Sequence, residues 1–345
     1  MLYGANGYTG RLIAAEAVQR GMRPILAGRS SNRIGPLAAA LGCPSRVFSL
    51  QNPEQIAANL SGIRAVLNCA GPFSATAQPM MDACLKSRVH YLDITGEIDV
   101  IEAAAARHQF ALEAGITLIP AVGFDVVPSD CLAAMLAPRI SGASRLELAV
   151  KGLRAVSPGT AKTILEALPY GGRVRIDGHL VTVPTAWKTA EIPFPEGPRP
   201  AMTAPWGDVA SAWYSTGIPN IEVYLAFPAA GIWWLRRVRG YLSVLRVGWV
   251  RRAALGPVRW LLAGPTTWAK QHQRGSLWAR VSDDTGNQVQ GTLQTASPYQ
   301  LTVWTALGAL ENVLAGSIAS GFLTPSKAFG PDFILTIPGT EFRAQ

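Results

Sequence analysis

Three glycines fall within the first ten residues and limit what the chain can become. Tyr3-Gly4-Ala5-Asn6-Gly7-Tyr8-Thr9-Gly10-Arg11 has G-x-x-G-x-x-G spacing, set between a short apolar stub and an amphipathic run from Leu12 to Arg20. A strand that passes into a helix through such a turn is the opening of a dinucleotide-binding α/β fold. The first glycine permits the tight turn, the second lets backbone approach a pyrophosphate, and the third lets helix and strand pack closely, with the phosphates at the helix N-terminus. Gly4, Ala5, Asn6, Gly7, Tyr8, Thr9 and Gly10 are therefore candidate cofactor contacts.

The next hundred residues follow the same scheme. Short apolar runs at Pro24–Ala27, Ala65–Ala70, His90–Thr95 and Thr117–Val122 are strand candidates, and Leu12–Arg20, Ala77–Lys86, Ile98–Glu113 and Ser129–Leu136 are helix candidates. This alternation predicts a Rossmann-type, doubly wound parallel sheet with helices on both faces. From about Ser144 the pattern turns to longer strands, Arg145–Lys151 and Ile221–Phe227, with Pro-rich loops from Pro193 to Pro205, as expected of a second α+β domain. With 345 residues, 49% of them hydrophobic, two domains are expected. Residues 1–137 would bind nucleotide, completed by a helix returning within 299–325, and residues 138–298 would serve substrate or oligomerisation.

The tip of the second strand sets the nucleotide. An NAD site offers an acid to the ribose 2′-hydroxyl, whereas an NADP site offers a cation to the 2′-phosphate. No Asp or Glu occurs between Ala17 and Pro53, and Arg29 stands where the acid would be, followed by Ser30 and Arg33. A guanidinium fork suits a phosphate, so NADP (NADPH) is the expected cofactor, with Arg29 and Ser30 among its contacts. Asn68, Ala70, Gly71 and Pro72 close another strand at its carboxyl end, where parallel sheets hold ligands, and are candidates for the nicotinamide half.

Several ordered motifs together resemble the saccharopine dehydrogenase-like oxidoreductases: Tyr3–Gly10, Ala27–Arg29, Asn68–Phe73, His90–Glu97 and Gly123–Asp130. Ser157–Thr160, Gly171–Gly178, Ser297–Tyr299 and Thr324–Pro325 resemble the trans-acting enoyl reductase branch of that family. The resemblance implies NADPH-dependent reduction of a carbon–carbon double bond in an acyl substrate. Two departures stand out. The first strand is cut to Met1–Tyr3, which suggests a true start further upstream, and Leu50–Asn52 replaces a carboxylate often found after the third strand.

No catalytic residue follows from the residues alone. A Tyr-x-x-x-Lys pair is absent, because no tyrosine is followed by lysine at the fourth position. Asp93, Thr95, Glu97 and Asp125 all end strands or sit just after them and would face one crevice, while Asp130 is better suited to capping its helix. His90, Tyr91 and Asp125 are candidates for proton delivery.

The net charge of +9 is concentrated late in the chain. No acid lies between Glu222 and Asp283, and arginines alternate with tryptophans through 229–274. Ile232, Leu235, Val238, Leu242, Leu245 and Trp249 recur at helical spacing, with Arg236, Arg239 and Arg246 on another side. Two readings stay open, a helix lying on an anionic membrane surface and a buried helical hairpin with arginines at its rim. No nucleic-acid motif accompanies the charge, so nucleic acid is not expected as a partner. Cys43, Cys69, Cys84 and Cys131 are scattered and show no metal-ligand spacing. A cytoplasmic protein, peripheral to membrane at most, is expected.

The function expected is thus an NADPH-dependent reductase acting on an apolar small molecule or carrier-bound acyl group. The alternatives are a non-catalytic NADP-binding protein at a membrane and a saccharopine-type amino-acid dehydrogenase. A homodimer is compatible with the second domain.

Overall fold

The structure, a computed structural model, describes residues 1–151, 168–246 and 274–344. It divides into two compact units, Met1–Cys131 with Tyr299–Ile337 and Leu132–Pro298 with Pro338–Gln345.

The first unit is built on a parallel sheet. Its strands are β1 (Leu2–Tyr3), β2 (Leu26–Gly28), β3 (Ser45–Val47), β4 (Ala65–Asn68), β5 (His90–Asp93), β6 (Thr117–Ile119) and β15 (Gly321–Phe322), in the order β15-β6-β5-β4-β1-β2-β3. Leu2 pairs with both Leu26 and Leu67, so the glycine turn leaves the sheet from its middle. The strands are short and nearly all buried, as a sheet covered on both faces requires. Leu26, Leu67 and Leu92 are fully buried, each contributing about 1.5–3 kcal/mol of apolar burial.

Helices α1 (Tyr8–Gln19), α2 (Ser31–Leu41), α3 (Pro53–Asn59), α4 (Phe73–Ser87), α5 (Ile98–Ala105), α6 (His108–Ala114) and α7 (Val127–Leu136) follow the strands in turn. The single helix expected over Ile98–Glu113 is two, broken where Arg107 takes φ −95° and ψ 7° and its side chain bonds Asp82 and the Ala103 carbonyl. Late in the chain α10 (Pro298–Ala315), β15 and α11 (Pro325–Phe329) complete this unit. β15 adds a parallel edge strand beside β6.

The second unit holds a mixed sheet of nine strands among the described residues. Strands β10 (Thr189–Phe194), β11 (Gly197–Thr203), β12 (Asn220–Ala226), β7 (Arg145–Lys151), β13 (Gly275–Ser282), β14 (Gln288–Thr295) and β16 (Glu341–Ala344) lie side by side, and the hairpin β8 (Gly172–Ile176) and β9 (His179–Val183) joins at β12. Helices α8 (Asp208–Thr216) and α9 (Ala229–Val238) accompany the sheet, and a 3-10 segment, Arg239–Arg246, continues α9.

The expected Pro-rich loop over Pro193–Pro205 is mostly an edge hairpin, β10–β11. Pro193 faces Pro198, and Ile192, Phe194 and Ala201 pack with Tyr224 and Trp278. Proline survives at a sheet edge because the missing N–H costs no ladder bond there. Glu196 pins the hairpin, accepting from Ser276, Lys151 and Gln294; burial alone would raise its pKa, but these bonds outweigh it and hold it at about 2. The helix expected to run from Ile232 to Trp249 ends at Val238, and residues 247–273 of the basic segment lie outside the described residues, as does Ser157–Thr160.

Candidate functional site

The loops at the carboxyl ends of the parallel strands converge around the glycine turn. Gly4 adopts φ +78°, and a β-carbon on it would stand 2.6 Å from the Ala70 nitrogen. On Gly10 a β-carbon would stand 2.5 Å from the Gly4 carbonyl. Both glycines are demanded by the fold itself. Gly7 differs: its φ of −69° is ordinary, and a β-carbon there meets only the Gly4 carbonyl at 3.3 Å and the Cys69 carbonyl at 3.9 Å. No side chain caps α1 at Gly7, an N-terminus that an anion can complete. Ala5 is buried, while Asn6 and Thr9 are half-buried and Tyr8 is exposed with its ring edge-on to Tyr299 at 5.0 Å.

Asn6 turns its amide oxygen toward Gly28 at the end of β2, where a β-carbon would stand 3.0 Å from it. Arg29 and Arg33 follow, exposed and without a carboxylate partner among the described residues, and Ser30 is the half-buried residue before α2. The Arg29 charge is felt at Tyr3, whose hydroxyl donates to the Phe48 carbonyl.

At the end of β4, fully buried Asn68 accepts from the Ala70 N–H at 3.0 Å, bracing the loop from beneath. Gly71 is exposed and joined to Pro72 by a cis peptide. A β-carbon on Gly71 would meet only the Phe73 ring at 3.9 Å, so the backbone here is open to close approach. Glu97, from the next loop, accepts from the Phe73 and Ser74 N–H groups at 2.9 and 2.8 Å and caps α4. That capping role is one the sequence did not show.

Asp93 is a structural hub. One oxygen accepts from the Thr95 and Ala121 N–H groups and the other from the Tyr91 hydroxyl at 2.7 Å. Burial raises it to about 6 against the lowering effect of these bonds. The Ala121 bond holds that residue at φ +62°, a conformation a non-glycine residue rarely adopts. Tyr91 is fully buried, and burial together with Asp93 raises its pKa well above the usual range, so it keeps its proton.

Asp125 stands apart. Its carboxylate has no hydrogen-bond or ion-pair partner among the described residues, and burial raises it to about 6. It lies against Gly96, in a loop fixed from the far side by α10, where Thr302 accepts from the Phe124 N–H at 3.0 Å and Thr305 donates to the Val122 carbonyl at 2.8 Å. Thr302 and Thr305 lie 178 and 183 residues along the chain from their partners in that loop, and no sequence signal marks them.

Of the three candidates for proton delivery, Asp125 alone has no hydrogen-bond or ion-pair partner among the described residues. His90 opens β5 beside Ala65, at the amino end of the strands, and its Nδ1 accepts from the Thr117 N–H. Tyr91 is committed to Asp93. Asp130 lies inside α7 rather than before it, and accepts from the Ser326 N–H at 2.7 Å, tying α11 in place. No group of three metal-ligating side chains occurs among the described residues.

Residues 1–119 match the saccharopine dehydrogenase NADP binding domain family. Over 138 residues, 38% of the chain, the protein is 34% identical to a trans-acting enoyl reductase of Mycobacterium leprae and covers 33% of that relative. A trans-acting enoyl reductase of Mycobacterium tuberculosis is 33% identical over the same length and share. The match thus spans about a third of these relatives. Two solved structures share the fold: apo saccharopine dehydrogenase (L-Glu forming) from Saccharomyces cerevisiae, with TM-score 0.67 and 12% identity over 100% of this chain and 99% of that one, and the homospermidine synthase of Legionella pneumophila in complex with NAD, with TM-score 0.65 and 10% identity over 99% and 90%. The strand order and the uncapped α1 are those of a dinucleotide-binding α/β fold.

Proposed function

We propose that this chain binds NADPH at the Gly4–Gly10 turn and reduces a carbon–carbon double bond in an apolar, carrier-bound acyl substrate. The observation that carries the reading is Arg29, an exposed cation without a carboxylate partner among the described residues, at the tip of β2 beside an uncapped α1. The family of the N-terminal domain and the names of the relatives support it.

In this reading the first-turn N–H groups of α1 hold the pyrophosphate and Gly7 leaves room for it. Arg29 and Ser30 take the 2′-phosphate, and Asn68 braces Ala70, Gly71 and Pro72 where the nicotinamide half passes. When bound, NADPH supplies a hydride. Asp125 supplies the proton: with its pKa near 6 the carboxyl is protonated often enough near neutrality to donate, and no other side chain among the described residues competes for it. Hydride and proton together saturate one double bond. Work at an anionic membrane surface, where apolar acyl groups gather, fits the basic, tryptophan-rich stretch.

The experiment is NADPH oxidation by the full chain with a trans-2-enoyl thioester on a carrier protein, followed by mass measurement of the acyl group. A gain of two hydrogens that depends on the protein and is lost in Asp125→Asn supports the reading. NADPH binding without turnover on any enoyl thioester would overturn it in favour of a non-catalytic protein.

A further inference from the structure

Helix α9 buries little of itself. Ile232 is its one fully buried side chain, while Trp233 and Trp234 are 59% and 58% exposed, with Tyr241 at 76% just beyond. So much exposed aromatic surface on one short segment marks a contact site. Arg236, Arg237 and Arg239 share the segment, and none has a carboxylate partner among the described residues; Arg237 stacks over Trp233 at 4.9 Å.

Between α9 and the β10–β11 hairpin runs a groove of about 770 Å³. That is within the roughly 300–1,000 Å³ of small-molecule sites. Ala190 and Pro200 line it from the hairpin, and Ile232 and Trp233 line it from α9. The three arginines line the same groove against a single acid, Glu191, so three positive charges less one negative leave +2. An apolar trough beside unpaired guanidinium groups suits a ligand with a hydrocarbon chain and an anionic head.

We propose that this groove holds one anionic phospholipid of a membrane surface, its phosphate on Arg236, Arg237 and Arg239 and one acyl chain along Ala190 and Pro200 against Trp233. Trp233, Trp234 and Tyr241 then sit in the headgroup zone. The proposal deepens the reading of a reductase working at a membrane. It is also independent of the nucleotide turn.

Co-sedimentation of the full chain with vesicles tests it. Attachment is expected to vesicles of phosphatidylcholine with phosphatidylglycerol, not to phosphatidylcholine alone, and to weaken with salt. The triple variant Arg236→Glu, Arg237→Glu, Arg239→Glu is expected to lose about a hundredfold in affinity. Dodecyl phosphate below its micelle concentration should bind by calorimetry, and Ala190→Phe, which fills the groove and spares the arginines, should abolish that binding. NADPH affinity should be unchanged in every variant, and each should keep the wild-type circular dichroism and Tm, which shows that the second unit is folded. A wild-type chain that stays in the supernatant at low salt, or a triple variant that sediments like wild type, overturns the proposal. So does inorganic phosphate binding as tightly as dodecyl phosphate, or Ala190→Phe binding the amphiphile unimpaired. Lipid binding without NADPH binding would leave this site standing and remove the reductase.

Discussion

The carboxylate of Asp125 lies so close to Gly96 that a β-carbon on the glycine would stand 2.8 Å from Oδ2. Gly96→Ala therefore displaces the proposed proton donor without touching the glycine turn. Turnover is expected to fall about a hundredfold, the cost of misplacing a reacting group by about an ångström, while NADPH affinity holds. Steady-state kinetics with a parallel NADPH titration checks both.

Asp125 should also be a stability cost. Its folded pKa of about 6 lies above the ordinary 3.8, so the folded state binds the proton more tightly, and wild type loses stability as pH rises from about 4 through 6. Asp93, also raised to about 6, contributes in the same direction. Asp125→Asn removes only its own share: its Tm is expected to exceed wild type at pH 8 and to converge with it below pH 4, by thermal denaturation. Equal Tm values at pH 8 would mean that the carboxylate is not desolvated.

Two glycines of the turn, Gly7 and Gly10, are expected to separate. Gly10→Ala drives a β-carbon into the Gly4 carbonyl and should lower Tm. Gly7→Ala meets only a 3.3 Å contact, so it should keep Tm within a few degrees yet weaken NADPH at least tenfold, because the methyl occupies the pyrophosphate space. Calorimetry on the two folded variants decides it.

His90 gives a second pH effect, of opposite sign. Burial, with Arg64 nearby, lowers its pKa, and its Nδ1 must be unprotonated to accept from Thr117. The stability it contributes is complete above about pH 6.5 and is lost as pH falls through the lowered folded value. His90→Gln, which can still accept, is expected to flatten that acid limb, measured as urea midpoints at pH 7.5 and 5.

Much of this was legible in the sequence wherever local pattern decides structure. Arg145–Lys151 is a strand over the very residues its alternation marks, and Leu12–Arg20 lies almost wholly within α1. The β8–β9 hairpin was missed although its Asp177-Gly178 turn, with φ 48° and 78°, is a readable signal. The break at Arg107 carries neither proline nor glycine and could not be read. Nor could β15, two residues whose place is fixed by pairing with β6. In the site, the glycine turn and Arg29 were readable because they are local. The isolation of Asp125, the Glu97 cap on α4 and the Thr302 and Thr305 clamps arise from loops meeting across the sheet, which no spacing reports.

The most direct test of an NADPH site at Gly4–Gly10 is the pair of dissociation constants for NADPH and NADH, by calorimetry, in wild type and in Arg29→Ala. A guanidinium on the 2′-phosphate is worth about 1.5–3 kcal/mol, so wild type should prefer NADPH by at least tenfold and Arg29→Ala should lose most of that preference by weakening NADPH alone. Equal constants for the two nucleotides in wild type, or a preference that survives in Arg29→Ala, would contradict the assignment.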